Sequence, residues 1–179
     1  MIGLLNFILS FLGLIILSPI LILIFIIGYF ENGSPLYIQK RIGLNQKSFM
    51  LFKFRTMRKE TKSAATHLIK NSMITPFGNL LRKIKLDEAP QLWNVLNGDM
   101  SLVGPRPCLL NQKKLIIERK KKGVFKVKPG ITGLAQVTGI NMKTPTLLAK
   151  TDQKMIKEMN IYFYFYYILK TLMLIVKIK

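Results

Sequence analysis

Residues 85–107 read KLDEAPQLWNVLNGDMSLVGPRP. Only eight carboxylates occur in the 179-residue chain, and two of them, Asp87 and Glu88, are adjacent in this stretch. Cations flank the pair, since Arg82 precedes it and Arg106 follows in a Gly-Pro-Arg-Pro turn. Adjacent acids among fixed cations suit phosphoryl chemistry. One carboxylate can attack phosphorus, the other can hold a metal or a proton, and the cations stabilise the phosphate oxygens.

A purely structural interpretation of the acid pair is that it starts a helix. Asp87 would then be the N-cap, and Glu88 would interact favourably with the helix dipole. Three features favour chemistry instead: acids are scarce in the chain, cations lie on both sides, and a helix start can itself hold an anion. Arg106 stands between two prolines, so its stiffened backbone suits a fixed bidentate contact to phosphate. We therefore favour a catalytic role for the pair.

Composition indicates a partner that is anionic. The chain is half hydrophobic yet carries a net charge of +20, and such self-repulsion opposes compaction unless the surface meets anions. Membrane phospholipid, nucleotide diphosphates and nucleic acid are the candidates. The single cysteine, Cys108, excludes an internal disulfide and fits the cytosolic side of a membrane. The single histidine, His67, argues against a histidine-based metal site or a Ser-His-Asp triad.

Residues 1–30 contain no charged side chain and are long enough, as a helix, to cross a hydrocarbon core of about 30 Å. A cleaved signal peptide fits poorly because the basic start is missing. One arrangement is a single spanning helix with the basic remainder inside. The other depends on Ser18-Pro19 near the middle of the run. Proline breaks the helix and the Ser18 hydroxyl can bond a freed carbonyl, so the chain could turn back. The residues alone leave both open.

The segment after the apolar run predicts a β-hairpin with strands over residues 36–44 and 49–57. In the second strand, period-two spacing places two phenylalanines on one face and Lys53 and Arg55 on the other. Without the acid pair, the better interpretation would be a plain amphipathic strand with solvated basic residues.

Further elements follow along the chain. Residues 58–73 are polar and irregular, which predicts a mobile loop. Residues 108–122 predict a basic amphipathic helix, suited to an anionic membrane surface or equally to a solvated face. The Tyr-rich segment 160–179 predicts a helix at the lipid–water interface. The other predicted elements are a helix over 75–84, a helix from near Asp87 to Asn97-Gly98, and a short strand over 134–137.

Six short motifs between about residues 10 and 140 occur in an order that resembles one family, the bacterial monotopic phosphoglycosyl transferases, also called bacterial sugar transferases. Six motifs in order make the resemblance specific. The matching segments are Ser18-Pro19, residues 39–43, 53–57, 86–88 with 91–96, 98–107, and 128–137.

The resemblance implies an α+β, helix-rich monotopic membrane fold with a small β-hairpin and interfacial amphipathic helices. The family's proline-broken membrane helix is re-entrant, which assigns residues 1–30 to that element, with Ser18 and Pro19 at the re-entry point. Residues 31–179 would form the catalytic domain on the cytosolic face of the bacterial inner membrane. Its C-terminal interfacial helix would cover about residues 160–179, in contact with phospholipid.

The resemblance also implies a transferase. Asp87 would attack the sugar-bearing phosphate of a UDP-sugar, releasing UMP and leaving a covalent phosphosugar-aspartyl enzyme. A polyprenyl phosphate, usually undecaprenyl phosphate, would then accept the phosphosugar in the first membrane step of polysaccharide or glycoconjugate assembly. Magnesium (Mg2+) assists in the family, with Asp87 and Glu88 as metal-binding residues and an acid/base role also assigned to Glu88. The substrate-binding residues it implies are Arg41, Lys53, Arg55, Arg82 and Arg106.

The chain departs from the family pattern in three places. Ile140 stands where the family commonly has an arginine, which removes an expected contact to the nucleotide sugar. The start lacks the family's basic residue and aspartate ahead of the membrane helix. Asp152 is a candidate for a later family acid, whereas another is replaced within residues 164–166.

Two other functions are consistent with part of the sequence. A basic, membrane-tethered nucleic-acid binder would explain the charge but not the acid pair, and no recognition motif is present, so nucleic acid is not an expected partner. A degenerate family member kept as a scaffold is suggested by Ile140. The residues do not identify the sugar or the pathway, and they leave self-association as a homo-oligomer open.

Overall fold

The computed structural model describes residues 2–58 and 73–177 and combines helices with short strands, which confirms the mixed helix-and-strand class. The helices are α1 (Ile2–Asn32), α2 (Pro76–Lys83), α3 (Gln91–Leu96), α4 (Lys113–Lys121), α5 (Leu134–Val137), α6 (Pro145–Glu158) and α7 (Ile161–Lys177). The strands are β1 (Leu36–Ile42), β2 (Ser48–Phe54), β3 (Ser101–Val103), β4 (Cys108–Leu109) and β5 (Gly130–Thr132).

Helix α1 continues through its proline. It is, within the described part of the chain, the one helix long and apolar enough by length and composition to cross a membrane. Pro19 lacks the N–H that would bond the carbonyl of Ile15, four residues earlier. The Ser18 hydroxyl donates to that same carbonyl at 2.8 Å, so the predicted use of Ser18 is confirmed. The hydroxyl thus satisfies the acceptor that the proline leaves unpaired.

One side of α1 packs against the rest of the protein over nearly its whole length. Near its start, Leu9 packs beside the buried cluster around Tyr164. In the middle, a Cβ added at Gly13 would lie 3.3 Å from Leu92 on α3, so the two helices approach closely there. Towards its end, Ile24 is buried in a cluster with β2 and α2 residues. The helix therefore lies along the folded body rather than projecting from it.

Asn6 anchors the start of α1 with three hydrogen bonds. Its Oδ1 accepts from the Ser101 hydroxyl at 3.2 Å, the Leu102 amide at 3.0 Å and the Tyr164 hydroxyl at 2.9 Å. These donors belong to β3 and α7. Asn6 therefore supplies a polar attachment from within the helix.

The predicted hairpin is confirmed. Strands β1 and β2 are antiparallel, with Leu36 opposite Phe54 and Ile42 opposite Ser48, and β4 pairs with the other side of β1. The predicted helix over residues 75–84 is also confirmed as α2, capped by the Thr75 hydroxyl, which accepts from the amide of Gly78 at 2.9 Å. Local sequence signals were sufficient for both elements.

Of two predictions between residues 108 and 137, the helix is confirmed over a shorter range and the strand is wrong. Residues 108 and 109 form β4 on the edge of the hairpin, so the predicted helix begins only at Lys113. The predicted strand over 134–137 is helix α5, and the strand is instead the preceding segment, β5, parallel to β3. Glycine explains the shift, because a Cβ at Gly130 would lie 2.0 Å from the amide nitrogen of Gly104. Only glycines allow these two backbones to pair so closely.

The C-terminal aromatic helix is confirmed as α7, but its sides differ. Tyr164 and Tyr167 are buried against the core, whereas Tyr162 is 69% exposed. The predicted mobile loop and His67 lie outside the described residues, except that the Arg58 amide donates to the Met73 carbonyl at 3.1 Å at the two ends of that segment.

We expect Asn6→Ala to lower the free energy of unfolding by about 1–3 kcal/mol, because it leaves buried donors on β3 and α7 without an acceptor. Thermal unfolding in detergent measures the loss. Asn111→Ala, at an exposed position, is the matched control and should have little effect. Equal stability of the two variants would contradict the anchoring role of Asn6.

Candidate functional site

Asp87 does not cap a helix. It lies in a 3₁₀ turn, Leu86–Glu88, that follows Lys85 in the left-handed conformation (φ 54°), and α3 begins only at Gln91. The predicted helix start near Asp87 is therefore wrong. Pro90 explains the difference, because the residue before a proline is disfavoured in a helix and the proline itself suits a helix start. The carboxylate is consequently not engaged as an N-cap.

The two acids line a cavity of about 440 Å³, together with three of the five predicted cations. Each cation comes from a different part of the fold: Lys53 from β2, Arg82 from the last turn of α2, and Arg106 from the turn after β3. Asp87 is 9% exposed. The fold thus brings together, around one carboxylate pair, side chains that are far apart in the sequence.

The two apolar helices, α1 and α7, also contribute to the lining of the cavity. Leu17 of α1 and Thr171 and Ile175 of α7 line it. The Thr171 hydroxyl contacts the hydroxyl of Thr132, at the end of β5. The cavity is therefore lined both by the charged side chains and by residues of two helices that expose apolar side chains elsewhere.

Arg106 and Glu88 form an ion pair inside the site. A guanidinium nitrogen of Arg106, Nη2, donates to Oε1 of Glu88. Burial pushes the pKa of Glu88 upward, but the Arg106 charge and hydrogen bond, with help from Lys53 and Lys85, outweigh it and hold the pKa below its ordinary value. Glu88 is therefore ionised near neutral pH. The Arg106 side chain remains 39% exposed and accessible from the cavity.

Asp87 and Lys53 have pKa values shifted towards each other. Burial, and then the neighbouring Glu88 charge, raise the pKa of Asp87 to about 6 against the opposing effect of the cations. Burial, and then repulsion from Arg106 and Arg41, lower the pKa of Lys53 to about 8. Near pH 7 the carboxylate is mostly ionised and the amine mostly protonated. This combination suits a nucleophile beside a cation that binds phosphate.

A hydrogen bond from its Nε orients Arg82, and the terminal Nη nitrogens are not used in that contact. Its Nε donates to the Thr56 hydroxyl at 2.8 Å. Burial lowers the pKa of Arg82, and the charges of Asp87 and Glu88 oppose that shift. The guanidinium is thus fixed on the side of the cavity where the acid pair lies.

The other two predicted cations are not among the described residues that line the cavity. The Arg41 side chain is 9% exposed and donates to the Pro107 carbonyl at 3.1 Å. The Arg55 Nε donates to the Ser34 carbonyl at 3.0 Å, and its guanidinium lies 5.4 Å from the ring centre of Tyr37. A substrate contact by either arginine stays a prediction.

Ile140 lies beside the site. It lines a second cavity of about 330 Å³ that shares Lys85, Arg106 and Gln136 with the first. The family's arginine at this position would therefore face the same region as Arg106. In this chain the side chain at that position is apolar.

A magnesium ion would find two carboxylates here, Asp87 and Glu88. In the described ranges, no group of three or more His, Cys, Asp or Glu side chains is placed to hold a metal. Mg²⁺ usually takes one or two carboxylates together with substrate phosphates and water. The donor set thus fits an ion shared with a phosphate substrate rather than a site built from protein alone.

Arg119 lies in the segment predicted as a basic amphipathic helix, residues 108–122, and its buried contact was not predicted. The side chain is 2% exposed, and its Nη2 lies 2.7 Å from Oδ2 of Asp152, which is also buried. A signal was present, because Arg119 is the one arginine in a lysine-rich segment, residues 113–122. Arginine is favoured over lysine where several hydrogen bonds of fixed geometry are required.

Comparison with known proteins is consistent with this site. A family model described as "Bacterial sugar transferase" matches residues 2–178. The chain is 49% identical over 110 residues to the Bacillus subtilis "Uncharacterized sugar transferase EpsL", covering 61% of this chain and 54% of that protein. It is 36% identical over 169 residues to the Escherichia coli "UDP-glucose:undecaprenyl-phosphate glucose-1-phosphate transferase", covering 88% of this chain and 36% of that protein. The chain thus spans about half the length of the Bacillus relative and about a third of the E. coli one.

We expect Asp87→Asn to stabilise the protein at pH 8 by roughly 3 kcal/mol, since the folded-state pKa of about 6 exceeds the ordinary value of 3.8. A raised carboxyl pKa means that the folded state binds the proton more tightly. Wild-type stability therefore falls as pH rises from about 4 to 6 and stays lower above that.

The gain in the free energy of unfolding of Asp87→Asn over the wild type should be present above pH 6 and vanish below about pH 4. Thermal unfolding between pH 4 and 8 checks this, with the exposed Glu158→Gln as control. A destabilised Asp87→Asn protein at pH 8 would contradict the charge balance described for the site.

Proposed function

Because this chain belongs to the bacterial sugar transferase family, we propose that it transfers a sugar-1-phosphate from a UDP-sugar to a polyprenyl phosphate. Undecaprenyl phosphate is the expected acceptor, because two relatives have undecaprenyl phosphate in their names. The product would be the first lipid-linked intermediate in the assembly of a polysaccharide or glycoconjugate.

The observation that carries the proposal is the placement of Asp87. Its carboxylate lines an open cavity, is not engaged as a helix cap, and is surrounded by Lys53, Arg82 and Arg106. A diphosphate donor needs such fixed cations, because negative charge grows on the leaving phosphate. The apolar wall of the cavity suits an acceptor whose phosphate is attached to a lipid.

In the first step an Asp87 carboxylate oxygen attacks the sugar-bearing phosphorus. A new O–P bond forms, the bond from that phosphorus to the bridging oxygen breaks, and UMP leaves with the electron pair. Lys53 and the arginines stabilise the charge on the leaving group. A covalent phosphosugar-aspartyl enzyme remains.

In the second step an oxygen of the polyprenyl phosphate attacks the same phosphorus. The O–P bond to Asp87 breaks, which restores the carboxylate and yields the polyprenyl diphosphosugar. Two successive displacements let one cavity serve a soluble donor and a lipid acceptor without holding both together.

Glu88 and Arg106 would change partners when substrate binds. A substrate phosphate can replace the Glu88 carboxylate at the Arg106 guanidinium, because arginine binds both carboxylates and phosphates through charge-assisted hydrogen bonds. Glu88 would then be free, with Asp87, to hold magnesium. A bound Mg²⁺ supplies neutralising charge on the substrate phosphates.

We further propose that α1 enters and leaves the membrane on the cytosolic face. Between Asn6 and Ile24 the helix rises about 27 Å, close to the hydrocarbon thickness. Both residues contact the body that carries the polar site. If α1 crossed the bilayer along its own axis, Asn6 and β3, to which it is bonded, would lie on the opposite side of the membrane from Ile24. A shallow, re-entrant path keeps both ends of α1 and the polar strands on one side of the membrane. It also leaves α7 at the interface, with residues 31–179 as the catalytic domain.

Incubation with the correct UDP-sugar should add one phosphosugar mass to the intact protein and release UMP. Asp87→Asn should abolish both, since the amide cannot form the ester. Intact-protein mass spectrometry and UMP quantification across a donor panel measure these outcomes, with Glu158→Gln as an active control. UMP release without any adduct would exclude the covalent route, and neither product from any donor would favour a scaffold.

A cysteine at Gly3 tests the path of α1. An added Cβ there meets no atom within 4 Å, and the native Cys108 is buried. In intact spheroplasts, a membrane-impermeant maleimide should label neither Gly3→Cys nor the exposed Lys120→Cys. Both should react after permeabilisation. Labelling of Gly3→Cys alone from outside would show a spanning helix.

A further inference from the structure

The turn that carries Arg106 has each of its three carbonyls bonded to a different element. The Pro105 carbonyl accepts from the amide of Gly130 at 2.9 Å, and the Pro107 carbonyl accepts from Arg41 at 3.1 Å. Between them, the carbonyl of Arg106 itself accepts from Nη1 of Arg119 at 2.7 Å. Since the prolines have no N–H to donate, the turn depends on its carbonyls for hydrogen bonds.

Arg119 can reach that carbonyl because Asp152 fixes its guanidinium. On α4, the Arg119 Nε donates to Oδ2 of Asp152 at 2.9 Å, and Nη2 lies 2.7 Å from the same oxygen. The two side chains are 2% and 1% exposed. With two of its nitrogens directed at α6, the planar group presents its third to the turn. Lysine, with one nitrogen on a flexible stem, does not reproduce this geometry.

The Arg106 side chain continues the series of contacts into the cavity. Its backbone carbonyl is bonded to Arg119, and its guanidinium binds Glu88 beside Asp87. The contacts thus run from Asp152 through Arg119 and Arg106 to the acid pair. Because the Arg106 side chain is 39% exposed, its position depends on how firmly its own backbone is held.

Fold stability alone does not explain this pair. A buried ion pair can often be replaced by apolar residues of similar volume without loss of stability. Apolar residues would fill the space between α4 and α6, but they cannot donate to the Arg106 carbonyl. The contact to the turn is therefore the property that requires arginine at this position.

We propose that Arg119, oriented by Asp152, is a positioning residue that holds Arg106 in register with Glu88 and with the phosphate of the substrate. The effect on phosphate rests on the proposed function. The effect on Glu88 does not, so the two can be tested separately.

The first test measures Glu88 without substrate. The protein is labelled with ¹³C-glutamate and titrated by NMR in detergent, and Glu88→Gln identifies the Glu88 signal. In Arg119→Met/Asp152→Leu, the Glu88 pKa should rise above its wild-type value, because the Arg106 charge is no longer held against the carboxylate. Lys120→Met, an exposed cation lost from the same helix, should leave it unchanged.

Arg119→Lys provides a second variant that keeps the buried charge opposite Asp152. It should raise the Glu88 pKa as well, since a single nitrogen does not reproduce the fixed fork that reaches both Asp152 and the Arg106 carbonyl. Thermal unfolding establishes that each variant is folded. A folded variant of either kind with a wild-type Glu88 pKa would overturn the proposal.

The second test is a mutant cycle in which the rate of UMP release is measured for each variant. Arg119→Met/Asp152→Leu should lower that rate on the order of 10- to 100-fold, the size expected for a displaced binding group. In an Arg106→Ala background the same pair of changes should cost nothing further, because Arg119 acts through Arg106. A further loss of tenfold or more in that background would overturn the proposal. If the wild-type protein releases no UMP from any donor, the proposed function fails, and the Glu88 titration still decides the role of Arg119.

Discussion

Two adjacent carboxylates are largely buried in the wall of one cavity, and cations from the surrounding fold compensate their charge. Burying such a pair is costly unless cations are fixed close by. Lys53, Arg82 and Arg106 supply that compensation from three separate elements. Their placement depends on close backbone approaches elsewhere, as at Gly78, where a Cβ would lie 2.3 Å from the Thr56 carbonyl oxygen. The packing between elements therefore sets the chemistry of the acid pair.

The parts of the structure that sequence reasoning predicted have strong local signals. The hairpin follows from alternation, α2 from its threonine and proline, and α1 from an uncharged run with Ser18 placed to serve the proline. The acid pair was recognisable because acids are rare in the chain. Three of the five cations expected from the family resemblance, Lys53, Arg82 and Arg106, line the cavity.

The parts that could not be predicted depend on contacts between distant residues. The pairing of β3 with β5 needs Gly104 and Gly130 together, and neither glycine reveals this alone. Asp87 looked like a helix start because its sequence neighbours fit one, whereas the left-handed Lys85 and Pro90 divert the chain. Arg119 was hidden among lysines, and its burial depends on Asp152, 33 residues later.

The position of Leu17 has a consequence for how the protein would respond to its surroundings. This side chain belongs to the long apolar helix, yet it also forms part of the wall around the acid pair. Helices in bilayers adjust their tilt when acyl-chain length or lateral pressure changes. Any such tilt of α1 would move Leu17 and with it part of the cavity lining. Under the proposed function, lipid composition would then affect the reaction rate through the shape of the cavity, in addition to its effect on acceptor supply.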